Sequence, residues 1–214
     1  MIIVCGGIKG GSGKTTVATN LAVIRSGQGS DVLLIDADDQ ETATDFTTQR
    51  SEHRDGEAGY TSIKLTGAGV RNQTQRLKEK YQDIIIDTGG RDTASQRAAL
   101  SVADVLLVPF VPRSFDVWTI EKVSELVAEM RQANPALKAF TFINRADPRG
   151  HDNDEAADVL REAQELKFIE TPLGNRKAFG NAAATGLAVT ELKPEDEKAS
   201  EEMMILIKYL FNIK

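Results

Sequence analysis

Short runs of β-branched and aliphatic residues, separated by stretches that can form helices, dominate this sequence. Each run is apolar at successive positions rather than at alternate ones, which predicts strands covered on both faces, as in a parallel sheet. We expect strands over five strong runs and two weaker ones: Ile2–Val4, Val32–Ile35, Ile84–Ile86, Val105–Val108 and Phe140–Ile143, then Tyr60–Leu65 and Phe168–Ile169.

Helix-compatible segments fill the gaps between these runs: Lys14–Arg25, Asp39–His53, Val70–Tyr81, Thr93–Ser101, Phe115–Ala133 and Asp154–Leu166. The last apolar pattern, in residues 201–211, predicts a final helix docked on the sheet. This alternation favours an α/β fold, a doubly wound and mostly parallel sheet flanked by helices. We expect a single domain over residues 1–214, because neither an internal repeat nor a linker-like segment interrupts the pattern.

The composition excludes several classes of protein. Hydrophobic residues make up 41% and charged residues 27%, as in folded soluble domains rather than disordered chains. The apolar runs are too short to span a bilayer, and acidic residues before the last helix disfavour binding to anionic lipid. Cys5 is the single cysteine, and His53 and His151 lack metal-ligand spacing. We therefore expect a cytoplasmic protein without a membrane role.

A glycine-rich loop joins the first predicted strand to the first predicted helix. It reads Lys9-Gly10-Gly11-Ser12-Gly13-Lys14-Thr15-Thr16. Glycines let successive backbone N–H groups converge on phosphate oxygens, and the N-terminus of the following helix adds its positive dipole end. In such a loop the lysine of Gly-Lys-Thr reaches the β and γ phosphates, and the threonine hydroxyl binds Mg²⁺. The loop predicts a phosphate site at Lys14 and Thr15; a glycine-rich turn without a ligand is the alternative.

The usual phosphate-loop pattern has a glycine where this chain has Ile8, and here a lysine follows it. This form resembles the deviant Walker A box of the ParA/MinD family of dimeric ATPases, and the resemblance extends over nearly the whole chain. It implies a P-loop NTPase of the ParA/MinD (SIMIBI) type, with ATP and Mg²⁺ as cofactors and an ATP-dependent homodimer. In that family the lysine at the position of Lys9 crosses the dimer to the phosphates of the partner. An exposed loop lysine is the alternative for Lys9.

Acidic residues follow two of the predicted strands. Asp36-Ala37-Asp38-Asp39-Gln40 resembles the first switch of the family, which implies that Asp36 helps to hold Mg²⁺ and that Asp38 aligns the attacking water. Asp39 could instead cap the next helix.

The segment Asp87-Thr88-Gly89-Gly90 resembles the Walker B strand end and the second switch. An aspartate at the carboxyl end of a buried strand lies where open α/β sheets bind ligands, so Asp87 is the second candidate for Mg²⁺. The two glycines would let the backbone move when the γ-phosphate leaves. Arg91 stands where the family often has a proline.

Two later segments support the same family. Pro109–Pro112, followed by Phe115-Asp116, resembles its proline-containing strand end before a long helix. Phe142–Arg145 resembles its adenine-side strand end, which implies that Asn144 and Arg145 contact the nucleotide. A turn role remains open for Asn144.

A basic segment near the C-terminus indicates a branch of the family. Arg176-Lys177-Ala178-Phe179, with Gly186 and Glu191, resembles a segment of partition ATPases in which an arginine of some members contributes to sequence-independent DNA binding. The net charge is −6, so any contact with DNA must come from a local patch. The candidates are Arg176 and Lys177, with Arg145 and Arg149 behind them; solvated surface residues are the alternative.

These resemblances imply a weak, partner-stimulated ATPase that binds DNA without sequence preference and segregates a plasmid or chromosome with a ParB-like adaptor on the nucleoid. The chain begins at its first strand, as in the small partition ATPases without a helix-turn-helix extension. Two alternatives remain: a ParA-like ATPase that positions a protein cargo such as carboxysomes, and a metabolic ATP-dependent ligase or synthetase.

Overall fold

The computed structural model describes residues 1–112, 117–149 and 151–212. Over these residues the strands are β1 (Ile2–Cys5), β2 (Val32–Ala37), β3 (Thr61–Lys64), β4 (Asp83–Thr88), β5 (Val105–Phe110), β6 (Lys138–Ala146) and β7 (Lys167–Gly174). The helices are α1 (Lys14–Gly27), α2 (Thr42–Glu52), α3 (Ala68–Leu77), α4 (Ala94–Leu100), α5 (Val117–Ala133), α6 (Asp152–Glu162), α7 (Lys177–Ala183) and α8 (Glu197–Phe211). A 3-10 helix at Val189–Glu191 lies between α7 and α8.

The strands form one parallel sheet in the order β3-β2-β4-β1-β5-β6-β7. Helices α3, α4, α5 and α6 cover one face of it, and α1, α2, α7 and α8 cover the other. Every residue of β1, β2, β4 and β5 is buried, which explains why the sequence shows continuous apolar runs rather than alternation. The predicted α/β class and all seven predicted strands are confirmed.

Helix boundaries differ from the sequence prediction where side chains reshape a turn. The second helix begins at Thr42 rather than at Asp39, because Asp38 accepts the N–H of Gln40 at 3.2 Å in a turn ahead of the helix. Its N-cap is Glu41, so Asp39 is not the capping residue. The helix predicted from Phe115 is described from Val117 onward, and Phe115 and Asp116 lie outside the described residues.

The last helix docks on the sheet as predicted. Asp196 caps α8 by accepting the N–H of Ala199 at 3.1 Å, and Met203, Leu206 and Leu210 are fully buried. The sequence analysis does not predict the short helix α7. No helix in the described ranges is long and apolar enough to cross a bilayer.

The strand order brings three loops to one place. Strand β1 lies between β4 and β5, and β4 lies between β1 and β2. Parallel strands all end at the same edge of a sheet, so the segments after β1, β2 and β4 open side by side there. These segments carry the glycine-rich loop and both acidic motifs.

Phe142 on β6 has a fully buried ring, so replacing it tests the packing of this sheet. We expect Phe142→Ala to lower the free energy of unfolding by about 3–5 kcal/mol, because it removes apolar contacts and leaves a cavity. Urea denaturation would measure the change. Ile205→Ala, on the 41% exposed position of α8, is the control and should change stability by about 1 kcal/mol or less. A loss at Phe142 no larger than that of the control would contradict the assigned core.

Candidate nucleotide-binding site

The glycine-rich loop leaves β1 at the centre of the sheet and ends in the first turn of α1. Gly11 and Gly13 have φ angles of +73° and +93°, which L side chains rarely adopt. A Cβ on Gly13 would lie 2.1 Å from Nδ2 of Asn144, so only glycine fits there. That same Nδ2 donates to the Ser12 carbonyl at 2.7 Å. Asn144, at the end of β6, therefore holds the loop in shape from across the sheet edge.

Lys14 is buried at the base of this loop. Its Nζ donates to the backbone carbonyl of Lys9 at 2.9 Å, which curls the loop around the ammonium group. Burial lowers the pKa of Lys14, while the charges of Asp87 and Asp38 oppose that shift. A cation in this place can neutralise phosphate oxygens held by the loop.

Asp36 and Asp87 are direct neighbours in the sheet register of β2 and β4. Both are fully buried. Asp36 is well satisfied: Oδ2 accepts the N–H and the hydroxyl of Thr44, both at 2.8 Å, and Oδ1 accepts the N–H of Asp38 at 3.1 Å. The first turn of α2 thus holds Asp36 in one orientation.

Asp87 has no such support. Neither of its carboxylate oxygens has a hydrogen-bond partner among the described residues. Burial raises the pKa of Asp87 to about 7; the nearby Thr15 hydroxyl and Lys14 act in the opposite direction. A buried carboxylate without partners costs stability unless a cation or proton joins it, and such groups concentrate at functional sites. The donor set of Asp87, Asp36 and the Thr15 hydroxyl is all oxygen, which Mg²⁺ prefers.

Two glycines after β4 pack directly on the other loops. A Cβ on Gly90 would lie 2.6 Å from the Cα and N of Gly10, and a Cβ on Gly89 would lie 3.0 Å from Oδ1 of Asp38. The segment after Asp87 therefore contacts both the glycine-rich loop and the first acidic motif. A shift in any of these three segments must displace the other two.

An open cleft of about 700 Å³ covers these groups. Among its lining residues are Lys14, Thr15, Thr16, Asp38, Gly89, Gly90, Arg91 and Arg145. Arg145 is exposed, lines this cleft and has a φ of +55°, a strained value for a residue with a side chain. Arg91, which stands where the family often has a proline, also lines this cleft.

The remaining predicted site residues lie outside the lining of this cleft. Lys9 and Ser12 line a second, smaller cavity against β5 and α5. Arg149 and Lys177 are exposed. Arg176 is partly buried and holds Glu202 of α8 with Nε and with Nη2, the latter at 2.5 Å from Oε1.

No group of three or more His, Cys, Asp or Glu side chains in the described parts of the chain could hold a metal ion by itself. A metal at Asp36 and Asp87 would therefore take its other ligands from water and a bound phosphate, as Mg²⁺ usually does.

The raised pKa of Asp87 makes stability depend on pH. The folded chain holds the proton up to about pH 7 and the unfolded chain releases it near 3.8, so this group weakens the fold as pH rises between those values. We expect Asp87→Asn to raise the free energy of unfolding of the ligand-free protein. The gain should be on the order of 2 kcal/mol larger at pH 8 than at pH 5.

Thermal unfolding at the two pH values would measure this gain, with the exposed Asp55→Asn as the control. An Asp87→Asn variant that is less stable than the parent at pH 8 would show that the carboxylate is not an uncompensated charge.

Comparison with known proteins agrees with this geometry. The family model described as the CobQ/CobB/MinD/ParA nucleotide binding domain matches residues 2–189. "Maintenance of carboxysome distribution protein A" of Halothiobacillus neapolitanus is 26% identical over 92% of this chain and 89% of its own length. "Protein ParA" of Rhizobium radiobacter is 26% identical over 83% of this chain and 80% of its own length. The structure of Cyanothece McdA in complex with ATP superposes with a TM-score of 0.81 at 19% identity, covering all of this chain and 96% of that one. The loop, the two acidic motifs and this match over residues 2–189 together show that the chain belongs to the CobQ/CobB/MinD/ParA family of nucleotide-binding domains.

Proposed function

We propose that this protein is a ParA-type ATPase that uses hydrolysis as a timer for a DNA-bound state. The observation that carries the proposal is the buried Asp87 carboxylate without a hydrogen-bond partner, next to Asp36 and below Lys14 and Thr15. The Mg²⁺ ion that accompanies a bound nucleotide would supply the missing positive charge. The relative from Cyanothece was solved with ATP, which supports ATP as the nucleotide.

In this proposal each side chain has a defined task. Lys14 and the loop N–H groups bind the β and γ phosphates, while the Thr15 hydroxyl, Asp36 and Asp87 hold Mg²⁺ directly or through water. When bound, the ion neutralises charge on the transferred phosphoryl group. Asp38, beside Gly89 in the cleft, orients the water that attacks the γ-phosphate. Asn144 and Arg145 flank the bound nucleotide on the side of β6.

The proposal includes a dimer and a stimulating adaptor. Lys9 lies at the start of the loop and lines the smaller cavity against β5 and α5 rather than the cleft that Lys14 and Asp38 line. We infer that two protomers face each other across the sheet edge when ATP is bound, and that Lys9 then reaches the phosphates of the opposite protomer. A ParB-like adaptor would accelerate hydrolysis and so dissolve the dimer.

DNA binding is the output of the switch. Lys177 and Arg149 are exposed and Arg145 reaches the cleft rim, so these three offer cationic groups to a phosphate backbone. Arg176 already holds Glu202, which neutralises much of its charge, and its contribution would require that ion pair to open. A few such contacts provide weak, salt-sensitive binding, which suits a reversible switch on the nucleoid.

Two classes of cargo fit. The similarity to the carboxysome distribution protein supports a protein assembly, and the similarity to ParA supports a plasmid or chromosome. The identity of the adaptor separates them: an adaptor that binds a specific DNA site favours a plasmid, and one that binds a protein shell favours an assembly. A metabolic ligase, by contrast, has no use for Lys9.

We expect a random-sequence DNA duplex to bind with ATP and Mg²⁺ and not with ADP. Fluorescence anisotropy would measure this, and affinity should fall steeply with salt because binding releases counterions. Lys177→Gln should weaken binding at all sequences, while Lys122→Gln, an exposed lysine on α5, is the matched control. Equal binding with ATP and ADP, or none at low salt, would remove DNA from the function.

Replacing Asp38 and Lys9 in turn separates the steps of the cycle. We expect Asp38→Ala to bind ATP and remain a dimer in gel filtration, because the attacking water loses its guide. Lys9→Ala should bind ATP as a monomer and lose adaptor-stimulated hydrolysis. Lys208→Ala, at an exposed position in the last turn of α8, is the control for a lost lysine. A Lys9→Ala protein that still turns over ATP with a small-molecule substrate would favour the metabolic alternative.

A further inference from the structure

Helix α2 spans the distance between the metal carboxylate and the C-terminal part of the chain. Its 11 residues measure about 16 Å along the axis. In its first turn, Thr44 donates both its N–H and its hydroxyl to Oδ2 of Asp36. In its last turn, Arg50 turns away from solvent and is 3% exposed. One rigid helix therefore has one end on the nucleotide site and the other on the segment that follows α7.

The guanidinium of Arg50 is fully engaged by that segment and its neighbour loop. Nε donates to the Ala58 carbonyl at 2.6 Å, and Nη1 donates to the Gly186 carbonyl at 2.9 Å. Nη1 and Nη2 also form a two-pronged pair with Glu191, at 2.7 and 2.9 Å. Glu191 in turn accepts the N–H of Ala188 at 2.9 Å. Because the planar guanidinium is hydrogen-bonded at each of its three nitrogens, it fixes both the distance and the angle between α2 and its partners.

The backbones on the two sides of this joint touch. Gly186 has a φ of +66°, and a Cβ there would lie 2.5 Å from the N and Cα of Arg50. Gln49 donates to the Ala184 carbonyl at 2.7 Å. The 184–191 segment, which we call the coupling segment, cannot slide along α2 without breaking these contacts.

A second connection reaches the coupling segment from the glycine-rich loop. Asn20 on α1 is buried, donates from Nδ2 to the Thr16 carbonyl at 2.8 Å and accepts the N–H of Val189 on Oδ1 at 2.8 Å. Thus α1 and α2, the helices that follow β1 and β2, both hold the same eight residues. The coupling segment continues directly from α7, whose first residue is the exposed Lys177.

We propose that the coupling segment reports the nucleotide state to α7, with Arg50 and Asn20 as positioning residues. A change in the orientation of Asp36 moves Thr44 and with it α2, and Arg50 carries that displacement to Glu191 and Gly186. An exposed ion pair would be loosely held and would not transmit such a movement. The link from α7 to DNA rests on the proposed function, whereas the link from nucleotide to α7 does not.

Hydrogen exchange of the amides from α7 through Glu191 tests the coupling without DNA. We expect the wild-type chain with a slowly hydrolysed ATP analogue and Mg²⁺ to differ from the chain with ADP by about fivefold or more in exchange. Glu191→Gln should retain affinity for a fluorescent ATP analogue within about twofold and lose this difference. Glu170→Gln, which breaks the exposed two-pronged pair with Arg161, is the matched control and should retain it.

Thr44→Val tests the first turn of α2, and it takes the place of Glu191→Gln in the experiment if that variant does not fold. It removes the hydroxyl bond to Asp36 and leaves the N–H bond, and it should reduce the same exchange difference. The double variant should lose no more of the exchange difference than Glu191→Gln alone, because both changes interrupt the same path.

Two results would overturn the coupling: a wild-type segment that exchanges equally with both nucleotides, or a Glu191→Gln protein that keeps the difference. Loss of nucleotide affinity in step with thermal stability would also overturn it, since that is the mark of a merely structural pair. DNA anisotropy on the wild type judges the proposed function separately. If hydrogen exchange shows the coupling but the protein does not bind DNA, the coupling stands and only the DNA-binding step of the proposed function is refuted.

Discussion

The burial of charge at the carboxyl edge of the sheet is the constraint on which the rest of this molecule depends. Asp36, Asp87 and Lys14 all lie inside the protein, where a charged group costs free energy unless a partner compensates it. Asp36 is compensated by the first turn of α2, and Lys14 by a loop carbonyl. Asp87 is left without a hydrogen-bond partner among the described residues. The ligand-free fold thus carries a local cost that a bound cation would relieve.

This arrangement explains why so many glycines gather at one edge. Three backbone segments, after β1, β2 and β4, meet above the charged groups, and the segments after β1 and β4 approach so closely that a Cβ is excluded at Gly90. Close contact makes the segments mechanically dependent on one another. A site of this kind can convert the loss of one phosphate into a change of backbone position, because packed elements shift between discrete arrangements rather than deforming continuously.

Polar side chains tie the helix layers on both faces of the sheet to this edge, through Gln96 of α4 on one face and Asn20 of α1 on the other. On the face with α1, α2, α7 and α8, polar side chains cross between elements at Asn20, Arg50 and Gln49. The bonds of Asn20 and Arg50 are buried, which gives them a fixed geometry, whereas the bond of Gln49 is exposed. Lys177, the basic residue of α7, therefore lies in the same helix layer as α1 and α2. In our proposal this shared layer links the nucleotide state to a binding surface.

The sequence by itself determined the class of fold, the strands and the order of the site motifs. Short continuous apolar runs that alternate with helical stretches favour strands covered on both faces, and a glycine-rich loop between a strand and a helix points to phosphate. The resemblance to the ParA/MinD family followed from Lys9 and the aspartates, and the family match over residues 2–189 confirms it.

Only the tertiary structure decided how these residues are supported. Asn144 proved to brace the loop at Ser12, a contact 132 positions away along the chain. The role of Gly186 and Glu191 emerged as a clamp on Arg50, a residue with no local signal in the sequence. The difference in hydrogen bonding between Asp36 and Asp87 is likewise invisible in the sequence, since both residues lie near the end of a buried strand. Long-range hydrogen bonds and desolvation depend on which elements pack together, and that information exists only once the chain has folded.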